Sequence, residues 1–149
     1  MAELGCYRGG CSKLISITDP IRKLNVFDTF AGLPSGESDG HSQGEFAADF
    51  DDVSSYLSGL NVELHRGFFP TTASGLSDTK FSFVHLDGDL YQTTRDALAF
   101  FAPKMIAGGI VVFDDWKWQN CPGVERAVAE FGLSHRIEET VPFQAQIRF

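Results

Sequence analysis

Two short apolar runs in this chain stop abruptly at aspartates: FVHLDGDLYQTT at residues 83–94 and GGIVVFDDW at residues 108–116. Runs this short, rich in Val, Ile and Phe and bounded by turn residues, predict strands buried on both faces of a parallel sheet. Open α/β sheets bind their ligands just beyond the carboxyl ends of the strands. The pattern therefore predicts that Asp87, Asp89, Asp114 and Asp115 converge on one edge. Carboxylates crowded in this way need a cation or protons to neutralise them. A site for Mg²⁺ or another divalent cation at the mouth of an α/β enzyme is the direct expectation. The plainer alternative is that Asp89 or Asp115 caps the following helix.

The rest of the chain repeats the βα alternation. AELG (2–5) reads as the end of a first strand and CSKLISI (11–17) as a helix closed by Asp19-Pro20. LNVFD (24–28) and NVELHRG (61–67) read as strands. Between them, AGLPSGESDGHSQG (31–44) is Gly- and Ser-rich and predicts a mobile surface loop. Apolar residues at three- and four-residue steps predict an amphipathic helix from Glu45 to Leu60. TTRDALAFFAPKM (93–105) and PGVERAVAEFGL (122–133) predict helices, the second with Pro near its first turn and Gly near its end. The last residues predict two short strands flanking Pro142.

At 149 residues the chain has room for one domain, 1–149. Its net charge of −8 argues against a broad nucleic-acid or anionic-membrane surface. Three cysteines without a CxxC pair predict neither a disulfide framework nor a zinc knuckle and point to a reducing cytoplasm. No apolar run approaches the roughly 20 residues that cross a bilayer, and no signal peptide is visible. The 14 phenylalanines predict a core of large rings and an apolar surface that seeks a partner.

ELGCYRGG (3–10) is a Gly-rich turn between strand and helix, where backbone can approach a ligand and free N–H groups face it. By itself it is equally a tight βα turn. Asp28 ends the second strand, where an acid commonly accepts hydrogen bonds from ribose hydroxyls; a turn or cap is its bland role. Phe30, Phe68 and Phe69 flank strand ends and are candidates to sandwich an adenine, with core packing the alternative. His85 reads as a satisfied core histidine. Trp116 and Trp118 either line a substrate pocket or cover a core edge.

ELGCYRGG resembles the first motif of class I S-adenosylmethionine (SAM)-dependent methyltransferases. FDTFAGLP, GFFPTT, HLDGDLYQTT, GGIVVFDDW and CPGVERAV resemble, in order, successive motifs of the macrocin O-methyltransferase family, which acts on sugar hydroxyls in antibiotic biosynthesis. The resemblance runs from residue 2 to about residue 131. It implies a Rossmann-like sheet of order 3-2-1-4-5-7-6 with the last strand antiparallel. It also implies SAM as cofactor and metal-dependent O-methyl transfer to a small hydroxylated acceptor. Carried over residue by residue, Gly5, Cys6, Tyr7 and Gly9 would wrap the methionine part of SAM, Asp28 the ribose, and Gly67 and Phe68 the adenine. Asp87, Asp114 and Asp115 match the metal ligands and Asp89 the general base.

Members of that family carry a segment before the first motif, whereas this chain begins inside the first strand. The expectation is an N-terminally truncated form of the fold that associates as a homo-oligomer through apolar surface near its N-terminus. One competing reading is a non-catalytic binding or assembly module on the same fold. Another is a haloacid-dehalogenase-type phosphatase, whose DxD nucleophile loop LDGDLYQT resembles; it leaves ELGCYRGG and FDTF unexplained.

Overall fold

A computed structural model of the chain describes residues 1–34 and 41–149. Among the described residues seven strands form one sheet: β1 (Ala2–Leu4), β2 (Leu24–Asp28), β3 (Val62–Arg66), β4 (Phe81–Leu86), β5 (Met105–Phe113), β6 (Glu138–Val141) and β7 (Gln144–Arg148). Their spatial order is β3-β2-β1-β4-β5-β7-β6, as the resemblance implied. The first five pair in parallel, while β7 runs antiparallel to both β5 and β6. β1 is only three residues long, yet it lies at the centre, paired with β2 on one side and β4 on the other.

Helices cover both faces. α1 (Gly10–Thr18) and α2 (Phe50–Tyr56) lie on one, α3 (Tyr91–Phe101) and α4 (Pro122–Glu130) on the other. The two-residue period of the strands sorts side chains between two apolar layers. Ala2, Leu4 and Phe27 join Ala97, Leu98, Phe101, Val124 and Val128 under α3 and α4. Leu24 and Val26 join Val53 of α2 and Leu57, the residue that ends it. The phenylalanine content is spent here: the Phe101 ring lies 5.1–5.3 Å from those of Phe69, Phe81 and Phe100.

Glu3, also from β1, is fully buried on the α1 side, a location that demands partners. The Ser12 hydroxyl donates to it, and His85 Nδ1 stands 3.3 Å from its other oxygen. Burial depresses the His85 imidazole, but hydrogen bonds to Cys11 and Glu3 outweigh this and lift it to about 10. His85 is thus the satisfied core histidine expected from its strand position.

Some boundaries differ from the sequence reading. The helix expected from Glu45 starts only at Phe50, because Gly44 and Phe46 take positive φ (80° and 62°) and Asp49 caps the helix by accepting from the Asp51 and Asp52 N–H groups. α4 ends at Glu130, before Gly132 at φ 76°. The helix expected in 93–105, with its stop near Pro103, spans Tyr91–Phe101 and gives way at Ala102–Lys104 to a 3₁₀ turn; β5 begins at Met105. Within the loop expected at 31–44, residues 35–40 lie outside the described residues; the remainder is laced to its surroundings by the Leu33 N–H to Glu45 carbonyl bond and the Gly44 N–H to Leu33 carbonyl bond, both 2.9 Å. Among the described residues no helix is long and apolar enough to cross a membrane. Leu14, Ile17 and Ile21 are exposed on and just after α1, Ile21 to 89%.

Candidate active site

The carboxyl ends of the central strands are tied into one edge by backbone hydrogen bonds of 2.9 Å. Gly5 donates to Phe27, Asp87 to Leu4, Asp114 to Leu86 and Gly67 to Asp28. Beyond this edge opens a cavity of about 350 Å³, the size of small-molecule sites. Gly5, Tyr7, Asp28, Gly67, Phe68, Asp87, Asp89, Asp115 and Trp118 contribute to its wall.

The Gly-rich turn has a specific reason for its glycine at position 5. Gly5 takes φ 81°, and a Cβ there would fall 1.8 Å from the Asp87 carbonyl oxygen. Only a residue without a side chain lets the turn and the first aspartate loop meet. Asp28 then closes the turn: one carboxylate oxygen accepts from the Cys6 and Tyr7 N–H groups (2.8 and 3.0 Å), the other from Phe30 N–H (2.8 Å). Asp28 is therefore a turn residue, and because the oxygen facing Phe30 keeps one lone-pair site and the residue lines the cavity, it can also accept from a ligand hydroxyl.

The residues assigned to the turn do not all reach the cavity. Gly5 and Tyr7 do, whereas Cys6 and Gly9 are absent from its wall. The Cys6 side chain is buried, and burial followed by the nearby Asp28 charge pushes its thiol far up. Gly9 caps α1 at φ 78° and faces Val53 of α2 and the adjoining Leu57. Both shape the turn rather than line the cavity. Of the three phenylalanines proposed for an adenine, Phe68 is 61% exposed at the cavity, Phe69 also reaches it from the core, and Phe30 is buried against Phe50. The two tryptophans divide: Trp116 is in the core, and Trp118 lines the cavity.

The aspartates converge, with a grouping that differs from the expected one. Ligand-capable oxygens of Asp87, Asp89 and Asp115 all lie within 4.8 Å of one another, and Asp114 is not part of this trio. The reason lies in the backbone. Asp89 and Asp115 both take left-handed φ (58° and 57°), which turns their side chains back toward the cavity, while the Asp114 N–H still continues the strand ladder to Leu86. Asp114 nonetheless acts on the trio through its charge. Burial first, then the Asp114 charge, raises the Asp87 carboxyl to about 8 despite the opposing effect of His85. Burial, then a hydrogen bond and charge from Asp115, raises Asp89 to about 7. Burial is also the main cause of the upward shift of Asp115. Closely set carboxyls that hold protons near neutrality suit a hard divalent cation, which takes oxygen ligands and would relieve the same repulsion.

Two further residues flank Asp89 that the sequence reading did not single out. The Cys121 thiol donates to Asp89 Oδ1 (3.7 Å), and His41 Nε2 lies 3.4 Å from the Cys121 sulfur. Cys121 was legible only as part of CPGVERAV; His41 sat inconspicuously in the Gly/Ser-rich loop.

The fold is that of Rossmann-like O-methyltransferases. It superposes on the O-methyltransferase NovP with a TM-score of 0.80 at 23% identity, covering 99% of this chain and 70% of that one. It matches the calicheamicin methyltransferase CalS11 with a TM-score of 0.81 at 23% identity, covering 100% and 71%. The macrocin-O-methyltransferase (TylF) profile matches residues 1–144, and the chain belongs to this family. It is 29% identical over 160 residues to the 8-demethyl-8-(2,3-dimethoxy-alpha-L-rhamnosyl)-tetracenomycin-C 4'-O-methyltransferase of Streptomyces olivaceus (93% of this chain, 61% of that protein). It is 28% identical over 154 residues to the demethyldecarbamoylnovobiocin O-methyltransferase of Streptomyces niveus (88% and 57%). The chain thus spans less than two thirds of the length of these relatives. Family membership sets aside the phosphatase reading.

Proposed function

We propose that the chain is a SAM-dependent, divalent-cation-dependent O-methyltransferase acting on a hydroxyl of a small sugar or natural-product acceptor. The observation that carries this reading is the meeting of the Gly5 turn and the Asp87, Asp89 and Asp115 carboxylates in one cavity. The family and the names of the relatives, which act on rhamnosyl-tetracenomycin and novobiocin precursors, support the acceptor class.

Bound SAM supplies an electrophilic methyl group, and a bound divalent cation supplies positive charge that makes a coordinated hydroxyl more acidic. The chain's own residues do the rest. The turn at residues 5–9, closed by Asp28, offers its backbone to the cofactor's methionine and ribose, with Gly67 and Phe68 at the adenine end. Asp87 and Asp115 would hold the cation, assisted by Asp114, whose charge acts on both. Asp89 accepts the acceptor's proton: its carboxyl, raised to about 7, sits in the range where a base works well at neutral pH. Fixing the hydroxyl against the methyl is a large part of the acceleration. Trp118 and Tyr7 give the acceptor an aromatic wall.

The non-catalytic module remains the competing account, and the two part on one experiment. SAM is titrated calorimetrically, and methyl transfer to a panel of deoxysugar and glycosylated acceptors is then followed with Mg²⁺ and with EDTA. Saturable SAM binding with EDTA-sensitive transfer supports the enzyme; SAM binding without transfer to any acceptor supports the module. We further propose a cytoplasmic homo-oligomer, on a cysteine content without a CxxC pair and on the exposed Leu14, Ile17 and Ile21. A monomer by light scattering at micromolar concentration would count against the oligomer.

A further inference from the structure

His41, Asp89 and Cys121 come from three separate parts of the chain: the loop before α2, the turn after β4 and the residue that caps α4. Their ligand-capable atoms all lie within 4.8 Å of one another. We propose that they form a thiolate–imidazole–carboxylate site for a borderline divalent cation of the Zn²⁺ type, which shares Asp89 with the oxygen-only trio of Asp87, Asp89 and Asp115 but draws its other ligands from elsewhere.

Two observations carry this. The first is spacing. Zn–S bonds of about 2.3 Å and Zn–N or Zn–O bonds of about 2.0–2.2 Å in a tetrahedron place neighbouring ligand atoms about 3.3–3.7 Å apart. His41 Nε2 is 3.4 Å from Cys121 Sγ, which is 3.7 Å from Asp89 Oδ1. The second is the far side of the imidazole. His41 Nδ1 lies 3.4 Å from Glu45 Oε2, and a histidine that ligates through one ring nitrogen commonly donates its other N–H to a carboxylate, which fixes the ring. Glu45 is itself fastened by the Ser42 N–H (2.8 Å) and, through its carbonyl, by Leu33.

Asp115, whose carboxyl feels Asp89 and Cys121, borders the site without belonging to it, and Asp89 opens the site to the cavity, from which a water would complete the tetrahedron. On binding, the Cys121 thiol gives its proton to solvent and the thiolate sulfur bonds the metal, with no change of oxidation state. Soft thiolate and imidazole donors separate this site from a Mg²⁺ site. Occupancy would take Asp89 out of proton acceptance and tie the loop at 41–45 to the turn after β4. That consequence, which rests on the proposed methyl transfer, is inhibition.

The test uses Co²⁺ as a spectroscopic stand-in. Titrated into the reduced protein, Co²⁺ should give a near-ultraviolet thiolate-to-cobalt band at a stoichiometry of one, displaced by Zn²⁺. The band should vanish in Cys121→Ser, weaken at least tenfold in apparent affinity in His41→Ala, and survive in Cys11→Ser. Cys11→Ser is the necessary control because Glu3, Cys11 and His85 form another mixed group. Absence of the band, or its loss in Cys11→Ser with retention in Cys121→Ser, overturns the site. These readouts need no activity, so they stand apart from the methyltransferase reading. Where transfer is observed, Zn²⁺ should inhibit it in excess Mg²⁺ and a Zn²⁺-selective chelator that leaves Mg²⁺ in place restore it; equal inhibition of Cys121→Ser would overturn the inhibitory role.

Discussion

Gly5 and Asp87 belong to different strand ends, and the space between them is too small for a single carbon: a Cβ on Gly5 would sit 1.8 Å from the Asp87 carbonyl oxygen. The turn proposed for the cofactor and the loop that begins the carboxylate cluster are therefore one mechanical unit. Gly5→Ala combines this overlap with a φ of 81°, which by itself costs about 1–2 kcal/mol for a residue with a side chain. The variant should lose at least ~2 kcal/mol in denaturant unfolding, and whatever folds should bind SAM more weakly. A stability equal to the parent's would mean that the turn is not as drawn.

Asp28 satisfies three backbone N–H groups. Asp28→Ala should weaken SAM binding by about 1–3 kcal/mol, the usual size for hydrogen bonds to a charged group. Asp28→Asn keeps an acceptor oxygen and should lose less of the fold while still losing affinity. Calorimetry paired with unfolding curves separates the two effects; unchanged SAM affinity in both variants would remove Asp28 from the site.

Asp89→Asn should retain SAM and cation binding and lose rate by ~10²–10⁴, the range for a general base. Asp87→Asn should instead lose the cation. Asp114, outside the trio, is the informative case. If it acts by charge alone, Asp114→Asn weakens the cation only modestly; if it enters the coordination shell once the ion is bound, as the resemblance implies, metal dependence is abolished. Calorimetric titration of Mg²⁺ into each variant tells these apart.

The raised carboxyls set the sign of two pH effects. Asp87, at about 8 in the folded chain, binds its proton more tightly there than when unfolded. The folded state holds more protons between the two pKa values, so stability falls as pH rises through that window. Asp87→Asn should therefore stabilise the metal-free protein at pH 8, by up to about 5 kcal/mol, and leave it unchanged near pH 3. Cation uptake displaces the same protons, so affinity should rise from pH 6 to pH 8, with proton release visible as a buffer-dependent heat. An affinity that falls with pH would contradict the assignment.

Much of this was legible because it follows from local patterning. Apolar runs ending in aspartate placed β4 and β5, and the strand ends brought Asp87, Asp89 and Asp115 together as expected from position alone. What was not legible depends on backbone signs and long-range packing. The left-handed turns at Asp89 and Asp115 decide which carboxylates face inward, and a sequence does not display φ for a non-glycine residue. The helix was read from Glu45 rather than Phe50 because apolar spacing persists at Phe46, where the backbone has not yet entered the helix. His41 and Cys121 are 80 residues apart, and only the fold brings them to Asp89.

The most direct test of the central claim is a crystal structure with S-adenosylhomocysteine and Mn²⁺, read by its anomalous density. The account predicts the cofactor's amino-acid end over residues 5–9, its ribose at Asp28, and one Mn²⁺ peak between Asp87 and Asp115 in the same cavity. A cofactor bound elsewhere, or a cavity with cofactor but no metal between these carboxylates at saturating Mn²⁺, would contradict it.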